Sequence, residues 1–442
     1  MRRLIYLCAA VVTLPAVARA DDWPQWMGPG RDGVWHETGI LETFPAGGPK
    51  VKWRAPIQGG FAGPAVAAGR VFVTDFVSAS REDGTRFEKS HDRASFRGKE
   101  RVLCLQSADG KPLWTHEYDC QYAIAYPVGP RCTPTVDGDR VYTLGAMGDL
   151  LCLDVATGKV LWSVDFKKAY GAKTPLWGFA GHPLVDGEKV ICLVGGSGSV
   201  VVAFDKRTGK ERWKALSARE PGYSPAEVIE AGGTRQLIVW HAEAVNSLDP
   251  ESGKLWWSVP LEPDEGLSIM APQKSGDLLF VAGYEQKGVL LKLAADKPAA
   301  EVVWRGTKNT AVYPANSTPL IDGGYVYGVS WDSQLRCVKL DNGERVWETM
   351  AATLGKKRGR FGTAFLVKNG DRYFLFNEAG YLIIARLSPK GYDEVSRAKL
   401  LEPKTGMSGG RDVVWSHPAF AERCVFARND KEIVCVSLAG EK

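Results

Sequence analysis

The chain has 442 residues, 45% hydrophobic and 24% charged, which is the composition of a globular protein with a large core. Disorder, a collagen-like rod and a disulfide miniprotein are excluded. A formal charge of +5 falls to +2 if the segment carrying Arg2, Arg3 and Arg19 is removed, so nothing favours nucleic acid or an anionic membrane surface as a partner.

Residues 1–20 read as a signal peptide. Arg2 and Arg3 precede a mostly apolar run from Leu4 to Val17, and Ala18-Arg19-Ala20 fits a cleavage site before Asp21. The run is short for a spanning helix, which needs about 20 residues. A periplasmic or secreted, soluble protein without a transmembrane segment is therefore expected. Residues 21–48 carry Trp23, Trp26 and Trp35 and predict an irregular arm against the body. A short strand follows at 49–58, with Trp53 in it.

From there the chain repeats. An alternating strand, a turn ending in Gly and a second strand reaching Trp recur, ending at Trp114, Trp162, Trp213, Trp257, Trp304 and Trp347. Gly110, Gly158, Gly209, Gly253 and Gly343 supply the positive φ of the turn. A seventh copy, around 382–401, has lost the Trp and is expected to have lost the turn. Between these phrases sits a second hairpin, marked by Asp-Gly at 137–138, 186–187 and 322–323. Each unit thus predicts four short antiparallel strands in about 45 residues, the blade of a β-propeller. The last unit, 415–442, lacks its outer strand, and 49–58 would supply it. The fold class is all-β: an eight-bladed propeller over 49–442, its ring closed by an N-terminal strand. Residues 76–100 interrupt the first blade as a highly charged surface loop.

Cys104, Cys152, Cys337 and Cys435 occupy one repeated strand position and predict small buried core side chains. Cys120 and Cys132 flank a loop, and in an oxidising compartment they could pair.

The phrase Asp-x-x-[Thr/Ser]-Gly-Lys-x-x-Trp, carried by Asp154–Trp162, Asp205–Trp213 and Asp249–Trp257, resembles the repeat of pyrroloquinoline quinone (PQQ) propellers. WPQWMGPGRDG (23–33) is similar to the start of secreted members of that family. The resemblance implies one of two roles. One is a quinoprotein dehydrogenase holding PQQ and Ca²⁺ over the axis; the other is an outer-membrane assembly propeller that binds proteins. The chain lacks the adjacent-Cys disulfide and haem-attachment site of the first and the lipid-attachment Cys of the second. No Glu/Asn/Asp calcium set aligns.

Loops leading into the innermost strands should share one face around the axis. They carry Arg131, Trp177, His182, Tyr223, Tyr313, Asn316, Arg360, Trp415 and His417. Such a rim offers stacking faces and a few polar anchors to a ligand. Lys356, Lys357 and Arg358 are candidates for an anionic group. Asp332 and Glu243 are the carboxylates placed to project inward. Asn316-Ser317-Thr318 also fits a glycosylation sequon. The expected role is a monomeric, non-catalytic binding or scaffolding module of the cell envelope, with a protein, peptide or glycan as partner. Quinoprotein oxidation of an alcohol or sugar, and carbohydrate binding, are the alternatives.

Overall fold

A computed structural model describes residues 21–79, 91–355, 359–406 and 410–440. Residues 1–20, expected above to be a signal peptide, and Lys356, Lys357 and Arg358 lie outside the described residues. Eight four-stranded antiparallel sheets form the body, with a two-stranded ribbon, Thr405–Gly406 with Asp412–Val413, beside the last. The first segment, β1 (Val51–Pro56), is the outer strand of the eighth blade. It pairs antiparallel with Glu432–Ser437 and sets Trp53 opposite Cys435. Blade 1 is β2 (Ala65–Ala67), β3 (Arg70–Ser78), β4 (Ala94–Gln106) and β5 (Pro112–Ile124). Blades 2 to 7 follow in chain order, from Thr135–Asp137 to Gly391–Lys399. The ring therefore has eight blades and closes through its first strand.

The Trp–Gly phrase joins one blade to the next. Trp53, Trp114, Trp162, Trp213, Trp304 and Trp347 each donate their indole N–H to a backbone carbonyl in the following blade, at 2.7–3.2 Å. The ring of Trp162 lies where a Cβ on Gly209 would come within 2.6 Å, and Trp114 lies 2.5 Å from the equivalent point on Gly158. These glycines thus serve both a positive φ and a close approach. Trp257 departs from this: its N–H goes to Gln236 Oε1 at 3.0 Å in its own blade, because the following blade has no such glycine turn to receive it. A β-bulge recurs just outside each buried strand, for instance between Cys104 and Leu105 opposite Trp114. It breaks the strict alternation and leaves Leu113, Leu161 and Val303 exposed beside their Trp.

The repeated cysteines sit opposite tryptophans: Cys104 with Trp114, Cys152 with Trp162, Cys337 with Trp347 and Cys435 with Trp53. All four are buried. A small side chain is what the indole leaves room for.

Three expectations need correction. Residues 76–100 are not simply a loop: Phe76–Ser78 and Ala94–Glu100 extend β3 and β4 beyond the ring, with β5 alongside. Phe76 and Tyr122, stacked at 4.1 Å, give this projection its own core. The seventh unit keeps a tight turn, with Ser388 opposite Gly391. Cys120 and Cys132 do not pair. Cys132 is buried with its thiol toward the Phe179 carbonyl, and Cys120 lies on β5 opposite Gly98. All eight described cysteines are free. Burial pushes those thiols that shift clearly upward, Cys104 to about 11, away from the reactive thiolate; Cys424, hydrogen-bonded to Cys435, is the exception and is lowered. Alkylation of the native protein should therefore modify Cys120 at most, whereas unfolding should release eight reactive thiols without reductant. A count of six would restore the disulfide.

The arm crosses the ring axis. Trp23 exchanges two backbone hydrogen bonds with Val66 of β2, and the Pro24 carbonyl accepts from Val136 of blade 2. Gly33 and Trp35 bond Lys368 of blade 7, while Trp23 and Trp35 pack on Phe420 of blade 8. Arg31 reaches Glu227 of blade 4 at 3.1 Å and is itself 5% exposed. An arm tied to innermost strands on opposite sides of the ring closes the axial channel.

Candidate functional site

Above this plug lies a cavity of about 930 Å³, open on the face of the lead-in loops. Its walls include eight of the nine residues expected there: Arg131, Trp177, His182, Tyr223, Asn316, Arg360, Trp415 and His417. Tyr313 is the exception. It is buried between blades, with its hydroxyl donating to the Thr307 carbonyl at 2.7 Å. Its backbone is held by Ser330 and Trp331, so its loop turns toward the axis only after it, at Ala315 and Asn316.

The floor is Trp26. Its indole stacks on His182 at 5.0 Å and meets His417 edge-on at 6.2 Å. Both imidazoles are neutral: burial drives His182 well below its ordinary range, and burial lowers His417 to about 4. The Thr133 backbone N–H donates to His182 Nδ1 at 2.9 Å, which leaves the proton on Nε2. His417 Nδ1 donates to the Pro418 carbonyl at 2.8 Å, which leaves Nε2 as an acceptor.

Three arginines stand in the wall, Arg131 held by backbone carbonyls and the other two by carboxylates. Arg131 donates to the carbonyls of Ala125 at 3.1 Å, Tyr126 at 2.6 Å and Gly129, and lies over the Phe61 ring at 5.2 Å. Arg360 lies over Trp331 at 4.9 Å and donates to Tyr284 at 2.5 Å and Glu285 at 3.3 Å. Arg411 donates to Glu378 at 2.6 Å and to the Arg360 carbonyl at 2.7 Å. Trp415 donates its indole N–H to the same Glu378 at 2.9 Å.

Among the described residues, one carboxylate lines the cavity: Glu265, on a single turn at Asp264–Gly266. It faces His91 at 2.7 Å, so the projection of blade 1 spans the mouth to the blade 4–5 connection. Asp332 and Glu243 do not reach the cavity. Asp332 pairs with Arg336 at 2.5 Å, and Glu243 accepts from the Arg219 backbone at 2.8 Å.

Sequence reasoning missed Trp26, His91, Glu265, Tyr284, Phe361 and Arg411. Tyr284 follows the second strand of its blade, whose exit shares the face of the lead-in loops, so topology could have found it. Trp26 had no comparable signal, because the arm does not repeat.

A closed eight-bladed ring with inter-blade Trp–Gly contacts and one axial cavity defines a propeller of the PQQ-repeat class. The sequence model described as outer membrane protein assembly factor BamB matches residues 98–237 and 241–442, and the chain belongs to that family. No curated protein matches the chain. Among solved structures, BamB from Moraxella catarrhalis is similar over 88% of this chain and 98% of its own, with 16% identity and a TM-score of 0.55. Quinohemoprotein alcohol dehydrogenase from Comamonas testosteroni is similar over 97% and 82%, with 13% identity and a TM-score of 0.58. A europium-containing methanol dehydrogenase is similar over 94% and 89%, at 13% and 0.58. At such identities the likeness is one of fold. No described helix is long and apolar enough to cross a membrane.

Proposed function

We propose that the protein is a binding module of the cell envelope, exported as a monomer and freed of residues 1–20, which holds a partner or ligand at the axial cavity. One observation carries this: the cavity is a recess closed below by Trp26, whose arginines are already held by carbonyls or carboxylates and whose two floor imidazoles, His182 and His417, are lowered by burial. Such a wall presents surface to a ligand rather than an activated nucleophile or a poised base. Family membership agrees with an envelope role.

A quinoprotein would need residues here that hold calcium beside the quinone. Calcium takes about six to eight oxygen ligands, several of them carboxylate. Among the described residues the cavity wall offers one carboxylate, Glu265, already facing His91, and no cluster of three or more His, Cys, Asp or Glu. The donor set does not fit a calcium–quinone pair, so no step is derived through one. Calorimetric titration of the mature protein with PQQ and Ca²⁺, with a dye-linked alcohol and sugar oxidation assay, should show neither saturable binding nor turnover. Quinone binding with turnover would replace the binding reading with an oxidoreductase.

A further inference from the structure

One charge in the cavity wall is not answered by the protein, and it says what kind of ligand fits, an inference that rests on the binding reading above. Arg131 lines the cavity from the lead-in loop of blade 2 and makes no ion pair with a carboxylate among the described residues. Its bonds go to the backbone carbonyls of Ala125, Tyr126 and Gly129, which leaves its Nε–H and one Nη1–H without an acceptor. Carbonyls fix a guanidinium in place without neutralising it. The carboxylate whose field reaches it, Glu100, is taken up by the hydroxyls of Tyr118 and Tyr122 and by the Ala146 N–H, and burial raises Glu100 toward its neutral form. Burial in turn pulls the Arg131 guanidinium below its ordinary range, yet part of the residue stays exposed where it lines the cavity. A recessed cation without a counter-ion carries a free-energy cost that an anion beside it offsets.

The other charges of the wall have partners. Arg411 bonds Glu378 at 2.6 Å, and Glu265 faces His91 at 2.7 Å. Arg360, at blade 7, is 57% exposed, so its charge is shared between Glu285 at 3.3 Å and solvent. Around Arg131 the surface is aromatic and aliphatic: Trp26 is the floor, Trp177, Leu267 and Ile269 stand in the wall, and the Phe61 ring lies 5.2 Å from the guanidinium. The place is preorganised, because the Phe61 and Ala62 N–H groups donate to the Pro130 carbonyl at 2.8 and 2.9 Å and so fasten the loop that bears Arg131. One unanswered charge beside an apolar floor matches one negative charge on an apolar body. A tricarboxylate would bring two more charges to be desolvated without a partner. We propose that the cavity binds a monocarboxylate with an aromatic or aliphatic body, its carboxylate accepting from Arg131 and its body against Trp26 and Trp177.

The mature protein is titrated, by intrinsic tryptophan fluorescence and calorimetry, with phenylacetate, indole-3-acetate and hexanoate, each beside its uncharged primary amide. Acetyl-Ala-Phe with a free and with an amidated end is run in parallel, as is PQQ. At least one acid should saturate and bind about tenfold more tightly than its amide. Binding of the small acids would place the carboxylate on a small molecule, and binding of the free-ended dipeptide alone would place it on a chain end; both support the site. Arg131→Gln should bring the acid down to the affinity of its amide, whereas Arg360→Gln should change it by less than about twofold. Arg131 also holds three carbonyls, so if Arg131→Gln does not fold, the acid–amide pairs on the unaltered protein decide. An amide as tight as its acid, silence from every acid and the dipeptide at about 10 mM, an unaltered affinity in folded Arg131→Gln, or an equal loss in Arg360→Gln would each overturn the carboxylate site and leave the binding module standing. PQQ turnover would remove both.

Discussion

Gly209→Ala should destabilise the protein by about 3 kcal/mol, several times the cost of the same change at Gly138. The two glycines share a positive φ, +70° and +59°, so both pay the backbone strain of an L-residue there. They differ in what a Cβ would meet. At Gly138 there is open space, whereas at Gly209 the Cβ lands 2.6 Å from the Trp162 ring. Gly138→Ala should therefore cost about 1 kcal/mol and report strain alone. The remainder at Gly209 belongs to the Trp162 contact, so in a Trp162→Ala background the Gly209 change should fall toward the Gly138 value. Denaturant midpoints of the four variants measure this. Equal costs at the two glycines would mean that the indole is not what holds blade 2 to blade 3.

Arg31→Met should cost about 3 kcal/mol at neutral pH, because it leaves Glu227 without its cation. Arg31 bonds Glu227 at 3.1 Å and the carbonyls of Pro183 and Ala226, and its guanidinium sits 5.8 Å from the Trp26 ring. Burial pushes the Glu227 carboxyl up to about 7, with Arg31 pulling the other way. A carboxyl raised on folding adds stability below its ordinary value near 4.5 and loses that contribution as pH rises through 7. Without Arg31 the carboxyl rises further, so the upper end of that window moves up. The deficit of Arg31→Met should thus be small at pH about 4.5 and grow through neutral pH. Unfolding at both ends of this range measures it, and a deficit independent of pH would show that packing of the arm, not the ion pair, is what Arg31 supplies. Trp26 fluorescence should shift in the same variant, since the cavity floor loses its anchor.

What could be read beforehand follows from repetition. A residue that recurs at a fixed place does one job several times, so Trp162 and Gly209 exposed the inter-blade contact and Cys104 and Cys152 exposed the space beneath the indole. The lead-in loops could be placed on one face because the ring dictates where each strand begins. Within a loop, repetition is silent about which side chain turns inward. Tyr313 goes between blades and Asn316, three residues on, goes to the cavity, a choice made by the backbone bonds to Ser330 and Trp331. The charge arrangement was also out of reach. Arg360 and Arg411 look like open cations in sequence, and only tertiary contact brings Glu285 and Glu378 to them.

The seam between β1 and Glu432–Ser437 also dictates a timetable. A ribosome makes the partners of this seam about 380 residues apart, so the earliest strand waits through nearly the whole of synthesis for the latest. The arm waits with it, because Trp23 and Trp35 rest on Phe420 and Ile40 bridges to Ala439. Trp26 is carried on that arm. A nascent chain stalled at the seventh blade would own most of the rim but no floor, so the recess comes into being only when the circle is finished. A finished recess is then a mark of completed folding.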